Sequence, residues 1–232
     1  LAPKATYGRD GGDVVSQVRL TCLNRRSLLA LGVAAVGLRG QVAAAQEPVD
    51  AELAGMTLRQ RVARMFIFPV SGPMLTVDEA AWLDDLRPGG VILVERNFGS
   101  AKEVRSLTSA IHATAPDLPP LVSLDQEGGI VTRLWDDPAP DAPTLGTLSL
   151  AEISSFAQQR SDLLAAYGFD LNYAPVADVA FTPDSFMAGR TFGDDPELVA
   201  ERVVAYLDGV RNTHVLHCVK HFPGHGRVSV DS

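Results

Sequence analysis

Cysteine, lysine and long apolar runs are all scarce in this chain, and each shortage excludes something. There are two cysteines, Cys22 and Cys218. Cys22 would leave with the leader described below, so Cys218 has no intramolecular partner and no disulfide framework holds the fold. Cysteine usage therefore says nothing about compartment. Cys218 itself, in an apolar run, is expected to be a small buried core residue. Beyond residue 45 the only lysines are Lys102 and Lys220. Overall, 20 Lys/Arg face 28 Asp/Glu, a formal net charge of −8. The first 45 residues hold six of the basic groups and two of the acidic ones, which leaves 14 against 26 in the body. A body this acidic excludes nucleic acid as a partner, because phosphate binding needs clustered positive charge. It also argues against peripheral membrane attachment. The apolar stretch Leu28 to Leu38 has eleven residues. A bilayer span needs about 20, so no stable membrane span is expected. Internal repeats and low-complexity tracts are absent.

What residues 1–45 do contain has the order of a secretory signal. Arg25-Arg26 precede the apolar stretch, and Ala43-Ala44-Ala45 supply small residues before Gln46. The paired arginines, with Arg39 beyond the apolar run, make this similar to a twin-arginine export signal. The expectation is a leader over 1–45 and a protein exported to the periplasm or the cell exterior. The first residue is Leu, so the true start is not fixed by the sequence.

After a polar linker the body alternates strand and helix. Strands are expected at Met65–Val70, Gly90–Glu95, Leu121–Asp125, Leu171–Asp178 and Val215–Val219. Gly90–Glu95 has the continuous apolar character of a strand buried on both faces. Helices are expected at 57–64 with Thr57 as N-cap, at 78–86, at 100–113, at 151–167 and at 196–212 with Asp194 or Asp195 as N-cap. Pro175 is awkward inside a sheet and suggests a bulge or strand end. Five alternations imply an α/β fold with a parallel sheet, either doubly wound or a barrel. The loops after strands three, four and five are rich in charge and glycine, as expected of a barrel with its site at the carboxyl ends of the strands.

Three groups of residues could carry chemistry there. Asp125-Gln126-Glu127-Gly128-Gly129, with Arg133 following, places two carboxylates and an arginine in a glycine loop, suited to polar hydroxyls or acid–base work. Asn172 and Asp178 bracket the fourth strand, with Arg190 in the loop beyond it. Lys220-His221 stand at the foot of the loop Phe222-Pro223-Gly224-His225-Gly226, where a strand interior would normally be apolar. His217, His221 and His225 are spaced by four, which on a helix could hold zinc. Pro223 and Gly224 forbid that helix, and no metal is expected. His112 and His214 read as ordinary surface histidines.

Taken together, these motifs resemble glycoside hydrolase family 3, in its β-N-acetylhexosaminidase branch. The matching segments are Asp125-Gln-Glu-Gly-Gly with Arg133, Ala174-Pro-Val-Ala-Asp178, Gly189-Arg-Thr-Phe192 and Lys220-His-Phe-Pro-Gly-His-Gly226 through Asp231-Ser232. The resemblance runs from about residue 55 to the end. It implies the N-terminal five-strand portion of a (β/α)8 TIM-like barrel over residues 46–232. It also implies retaining hydrolysis of terminal non-reducing β-linked N-acetylglucosamine through a glycosyl-enzyme. Asp125, Arg133, Arg190, Lys220 and His221 match positions that hold the sugar hydroxyls, and no cofactor is implied. Asp231 matches the partner of a histidine acid/base expected just past Ser232, and the nucleophilic aspartate is expected later still. On that resemblance the sequence is a fragment, inactive alone. The competing expectations are a sugar-binding protein without catalysis and a metal-dependent hydrolase built on the histidines.

Overall fold

The computed structural model describes residues 52–230. The expected leader, and Asp231 with Ser232, lie outside the described residues. From Met56 onward the chain forms one unit. Its elements are α1 (Leu58–Ala63), β1 (Ile67–Pro69), α2 (Val77–Leu86), β2 (Gly90–Leu93), α3 (Ala101–His112), β3 (Leu121–Leu124), α4 (Ala142–Leu145), α5 (Leu150–Ala166), β4 (Leu171–Asn172), α6 (Pro196–Val210) and β5 (Leu216–His217). No described helix is long and apolar enough to cross a membrane.

The sheet is parallel throughout, and its spatial order is the sequence order, β1-β2-β3-β4-β5. That order decides between the two architectures left open by the pattern. A doubly wound sheet reverses its strand order part-way, whereas a barrel adds each strand beside the last. The chain is therefore the N-terminal five-strand portion of a (β/α)8-type barrel.

Register sorts the side chains between two faces. Val91 pairs with Val122, and Leu93 with Leu124, Asn172 and His217 in turn. Neighbours at one level of a parallel sheet share a face. The four apolar members of these levels pack against Leu83, Val104, Leu107, Ile111 and Leu164 from α2, α3 and α5. A second cluster, with Ile153, Ala157, Val199, Val203 and Tyr206, joins α5 to α6. The opposite face carries Ile67, Ile92, Ser123, Leu171 and Leu216, and no described helix covers it. Cys218 lies two residues beyond Leu216 on that same face. It is exposed, not in the core as expected, and Leu216 is 58% exposed.

All five strands stop short of their expected ends, β1, β2, β3 and β5 by one or two residues and β4 by six. β4 ends at Asn172, not Asp178, because Pro175 offers no N–H to a ladder. Pairing resumes only as a single bridge between Val176 and Lys220. β5 is correspondingly short.

Helix starts follow a repeated local rule. Thr57/Gln60, Thr76/Glu79, Ser100/Glu103 and Ser149/Glu152 each form a reciprocal capping box, in which the hydroxyl takes the third backbone N–H and the acidic or amide side chain reaches back. Asp195 caps α6, with Pro196 in its first turn. His112 is half-buried rather than a plain surface residue. Its Nε2 lies 2.7 Å from Asp170 Oδ2, which also accepts from Val122 N at 2.8 Å and so joins the end of α3 to β3 and the approach to β4.

Helices α5 and α6 meet through a glycine. A Cβ at Gly209 would stand 2.1 Å from the carbonyl oxygen of Ser154. Elsewhere in a helix, Gly→Ala gains about 1 kcal/mol of propensity. Here the overlap forces the helices apart, so Gly209→Ala is expected to destabilise the protein by about 1–3 kcal/mol net. Thermal and urea unfolding would show the sign directly.

Candidate functional site

Charged side chains from three successive loops converge at the carboxyl ends of β3, β4 and β5. Glu127, from the loop after β3, is 5% exposed and forms the hub. Arg190, from the loop after β4, donates to it in bidentate fashion, Nε to Oε2 at 2.8 Å and Nη2 to Oε1 at 2.7 Å. Lys220 Nζ, just past β5, lies 2.6 Å from Glu127 Oε1 and 2.5 Å from Asp125 Oδ1. Burial by itself would raise the Glu127 carboxyl. The Arg190 hydrogen bonds and the Lys220 charge outweigh it and hold the group below its ordinary value. Arg190 is held up in turn, first by its hydrogen bond to Glu127 and further by the charges of Asp125 and Asp178, against the opposing effect of burial.

Asp178 organises the second half of the site. Its Oδ2 accepts from His221 N at 3.1 Å and stands 2.6 Å from His221 Nδ1, while Oδ1 accepts from His225 N at 2.5 Å. Burial would push Asp178 up, but these bonds hold it low. One carboxylate thus fixes both the ring of His221 and the turn that follows it. The loops after β4 and β5 are also joined along their backbones. Ala177 N donates to Lys220 O, Lys220 N to Pro175 O and Phe186 N to Val228 O. The Arg227 guanidinium lies 4.2 Å over the Phe181 ring.

The loop after β3 is shaped by two buried polar side chains. Gln126 Oε1 accepts from the N–H groups of Arg133 and Leu134, and its Nε2 donates to Asp137 Oδ2 and Leu134 O. Arg160 reaches the same loop from α5. It donates to Asp137 Oδ2 at 2.6 Å, Glu127 O at 2.9 Å, and Ala139 O and Pro140 O at 3.0 Å each. Gly128 sits between them at φ +93°, and a Cβ there would meet Arg160 Nη2 at 2.7 Å. Glycine is required on both counts.

The structure therefore joins Asp125, Arg190 and Lys220 in one ion-pair network and places His221 beside it through Asp178. Arg133 is not bonded to that network. Its backbone N–H goes to Gln126, its Nε is buried without a hydrogen-bond partner, and its side chain lines a recess of ≈ 250 Å³ with Gly99, Trp135 and Tyr167. Two roomier grooves, ≈ 550 and ≈ 560 Å³, run along α3 and contain none of these residues. The sequence offers Glu127 only as one of two loop carboxylates and Asp178 only as a flank of the fourth strand, and it passes over Arg160. The signals were present: a second carboxylate in the Asp-Gln-Glu-Gly-Gly loop, an acid just past β4, and an arginine on the apolar stripe Ile153, Ala157, Leu164. The three evenly spaced histidines do not converge. His217 points into the core, its Nδ1 donating to Ala174 O at 3.3 Å and its Nε2 3.1 Å from Ser161 Oγ, while His221 and His225 have ring centroids 5.0 Å apart. Among the described residues no three His, Cys, Asp or Glu side chains are grouped to hold a metal ion.

Comparison with known proteins agrees with this geometry. The family described as "Glycosyl hydrolase family 3 N terminal domain" matches residues 57–232. A β-hexosaminidase of Stenotrophomonas maltophilia strain R551-3 is 36% identical over 177 residues, covering 72% of this chain and 52% of that protein. A β-hexosaminidase of Xanthomonas campestris pv. campestris strain B100 is 37% identical over 177 residues, covering 72% and 53%. Among solved structures, a family 3 β-N-acetylglucosaminidase from Paenibacillus sp. str. FPU-7 superposes with a TM-score of 0.72 at 31% identity, over 77% of this chain and 35% of that one. NagZ from Neisseria gonorrhoeae, in complex with N-trifluoroacetyl-D-glucosamine, gives 0.63 at 30% identity, over 72% and 52%. An α/β-barrel domain with a charged cluster at its strand ends is thus the class of protein. The chain belongs to glycosyl hydrolase family 3, as an N-terminal domain similar to those of β-hexosaminidases. It spans about half the length of the curated relatives it matches.

The partly buried His217 makes a pH dependence. Burial pushes His217 down to about 4, from an ordinary 6.5. Between those values the unfolded chain binds a proton that the folded chain refuses, so stability falls as pH drops from 6.5 towards 4. With partial exposure discounted, the loss is about 2 kcal/mol. His217→Asn should remove that part of the slope, read by urea unfolding of variant and parent at pH 7 and pH 4.5.

Proposed function

We propose that the full-length protein hydrolyses terminal non-reducing β-linked N-acetylglucosamine, with retention of configuration through a glycosyl-enzyme. The observation that carries this reading is the network of Asp125, Glu127, Arg190 and Lys220 at the ends of three adjacent barrel strands. A pyranose presents a fan of neutral hydroxyls, each able to donate and accept. Charged side chains held in fixed directions make stronger and better oriented hydrogen bonds to such a fan than neutral ones do. Asp125 accepts, Lys220 and Arg190 donate, and His221, its Nδ1 tied to Asp178, turns its other nitrogen to the ligand. Arg133, which stands outside this network, is assigned to the sugar by the resemblance alone. Glu127 serves these groups rather than the sugar, since both its oxygens are already taken by Arg190 and Lys220.

The covalent steps follow from the resemblance to the β-N-acetylhexosaminidase branch. A histidine paired with Asp231 protonates the leaving oxygen as the C1–O bond breaks, and an aspartate takes C1. Water, deprotonated by the same histidine, then releases the sugar. No metal or organic cofactor enters this scheme. Residues 1–45 are proposed to export the protein, which would bring it to peptidoglycan or chitin-derived sugars outside the cytoplasm.

Release of 4-nitrophenol from 4-nitrophenyl N-acetyl-β-D-glucosaminide by the full-length gene product tests the reading. Lys220→Ala should lower kcat/KM by roughly 10–150-fold, the worth of one charge-assisted hydrogen bond of about 1.5–3 kcal/mol. Binding of N-acetylglucosamine with no release of nitrophenol would replace the hydrolase by a sugar-binding protein. For export, a reporter fused after residue 60 should reach the periplasm, and changing Arg25 and Arg26 to Lys together should stop it.

A further inference from the structure

The most buried charge among the described residues lies behind the site. Arg160 projects from the middle of α5 and is 1% exposed. Its neighbours on that stripe, Ile153, Ala157 and Leu164, are all fully buried. A methionine or leucine would fill such a position without the cost of desolvating a guanidinium. What the guanidinium does instead is join the two ends of the loop after β3. It donates to Glu127 O near the start of that loop and to Ala139 O, Pro140 O and Asp137 Oδ2 near its end. Pro138 and Pro140 have no N–H, so this stretch is poor in donors of its own.

We propose that Arg160 is a positioning residue of the sugar site, acting through Glu127. This inference rests on the hydrolase reading above. Arg160 holds the backbone of Glu127, and the Glu127 carboxylate holds Arg190 and Lys220. Asp137 Oδ2, which receives Arg160 Nε, also receives Gln126 Nε2, so the adjoining residue is fixed by the same carboxylate. Behind the cluster only ≈ 10 Å³ of free space remains, bounded in part by Glu127, Arg160, Arg190 and Tyr206. That is marginal even for one water, so solvent does not share the task while the guanidinium is in place. A shift of Glu127 then passes to two of the groups that face the sugar.

The test is a double-mutant cycle in the full-length gene product between Arg160→Gln and Glu127→Gln, read as kcat/KM on the aryl N-acetylglucosaminide. Arg160→Gln in the parent should lower kcat/KM at least tenfold, mostly through KM, because hydroxyl contacts bind ground and transition states alike. In the Glu127→Gln background the same change should cost less than threefold, since its route is already cut. A guanidinium removed alone leaves Asp137 buried and unpaired, so Arg160→Gln with Asp137→Asn is the second variant. In it, amide hydrogen exchange over 127–141 should quicken at least tenfold while α6 and the sheet keep their protection. Costs that simply multiply in the cycle, or exchange that quickens equally everywhere, would reduce Arg160 to a stabilising residue and overturn the proposal. If the parent releases no nitrophenol the hydrolase reading fails, and the exchange measurement still decides whether Arg160 positions the loop.

Discussion

A carboxylate stripped of water must be answered by cations in fixed places, and the site of this protein is built around one such debt. Glu127 is buried at the end of a barrel strand with Arg190 on one side and Lys220 on the other. The three residues come from three loops, so their mutual attraction closes those loops over one another. The arrangement has no mobile long-chain cation: Lys220 spans Asp125 and Glu127, and Arg190 is forked onto Glu127. Groups held this way need little further ordering when a ligand arrives, which is the physical content of preorganisation.

Behind the hub the same logic repeats for the backbone of the loops. Gln126, Asn172 and Arg160 satisfy backbone groups that an irregular loop leaves open. Asn172 Oδ1 accepts from Gln126 N and its Nδ2 donates to Gln126 O, so β4 ends by pairing with the loop of β3 through a side chain. Asp178 does the equivalent for the turn after Lys220. Buried polar groups of this kind are costly unless all are paired, which makes the loops stiff where they are complete. Among the described residues two buried side-chain atoms lack a hydrogen-bond partner: Tyr206 Oη, and Arg133 Nε at a recess rimmed by the exposed Trp135.

Much of the architecture was legible in the sequence for local reasons. Helix starts could be placed because a hydroxyl and an acid or amide three residues apart satisfy each other within a single turn. Strand cores were legible as apolar runs, since Val91, Leu93, Val122 and Leu124 pack against helices. Strand ends were not, because the end of a strand depends on its neighbour. β4 stops where Pro175 and the path of the next loop no longer allow a ladder. Cys218 misled because an apolar residue in a strand has two possible faces, and only the register of β4 and β5 tells which one a helix covers. His112 misled because its partner, Asp170, lies 58 residues away.

Of the site, the sequence could supply the residue types and their loops: Asp125, Arg133, Arg190, Lys220 and His221 all stand just beyond strands or in the loops that follow them. By itself it determined the alternation of strand and helix, the acidity of the body and the helix caps, all of which are written in neighbouring residues. The tertiary structure alone decided that the strands run in barrel order. It also decided that Glu127 rather than Asp125 is the hub, that Arg133 stands apart, and that an arginine from the core of α5 holds the loop. Those outcomes depend on pairings between groups tens of residues apart, and such pairings exist only once the sheet has set their distance and direction.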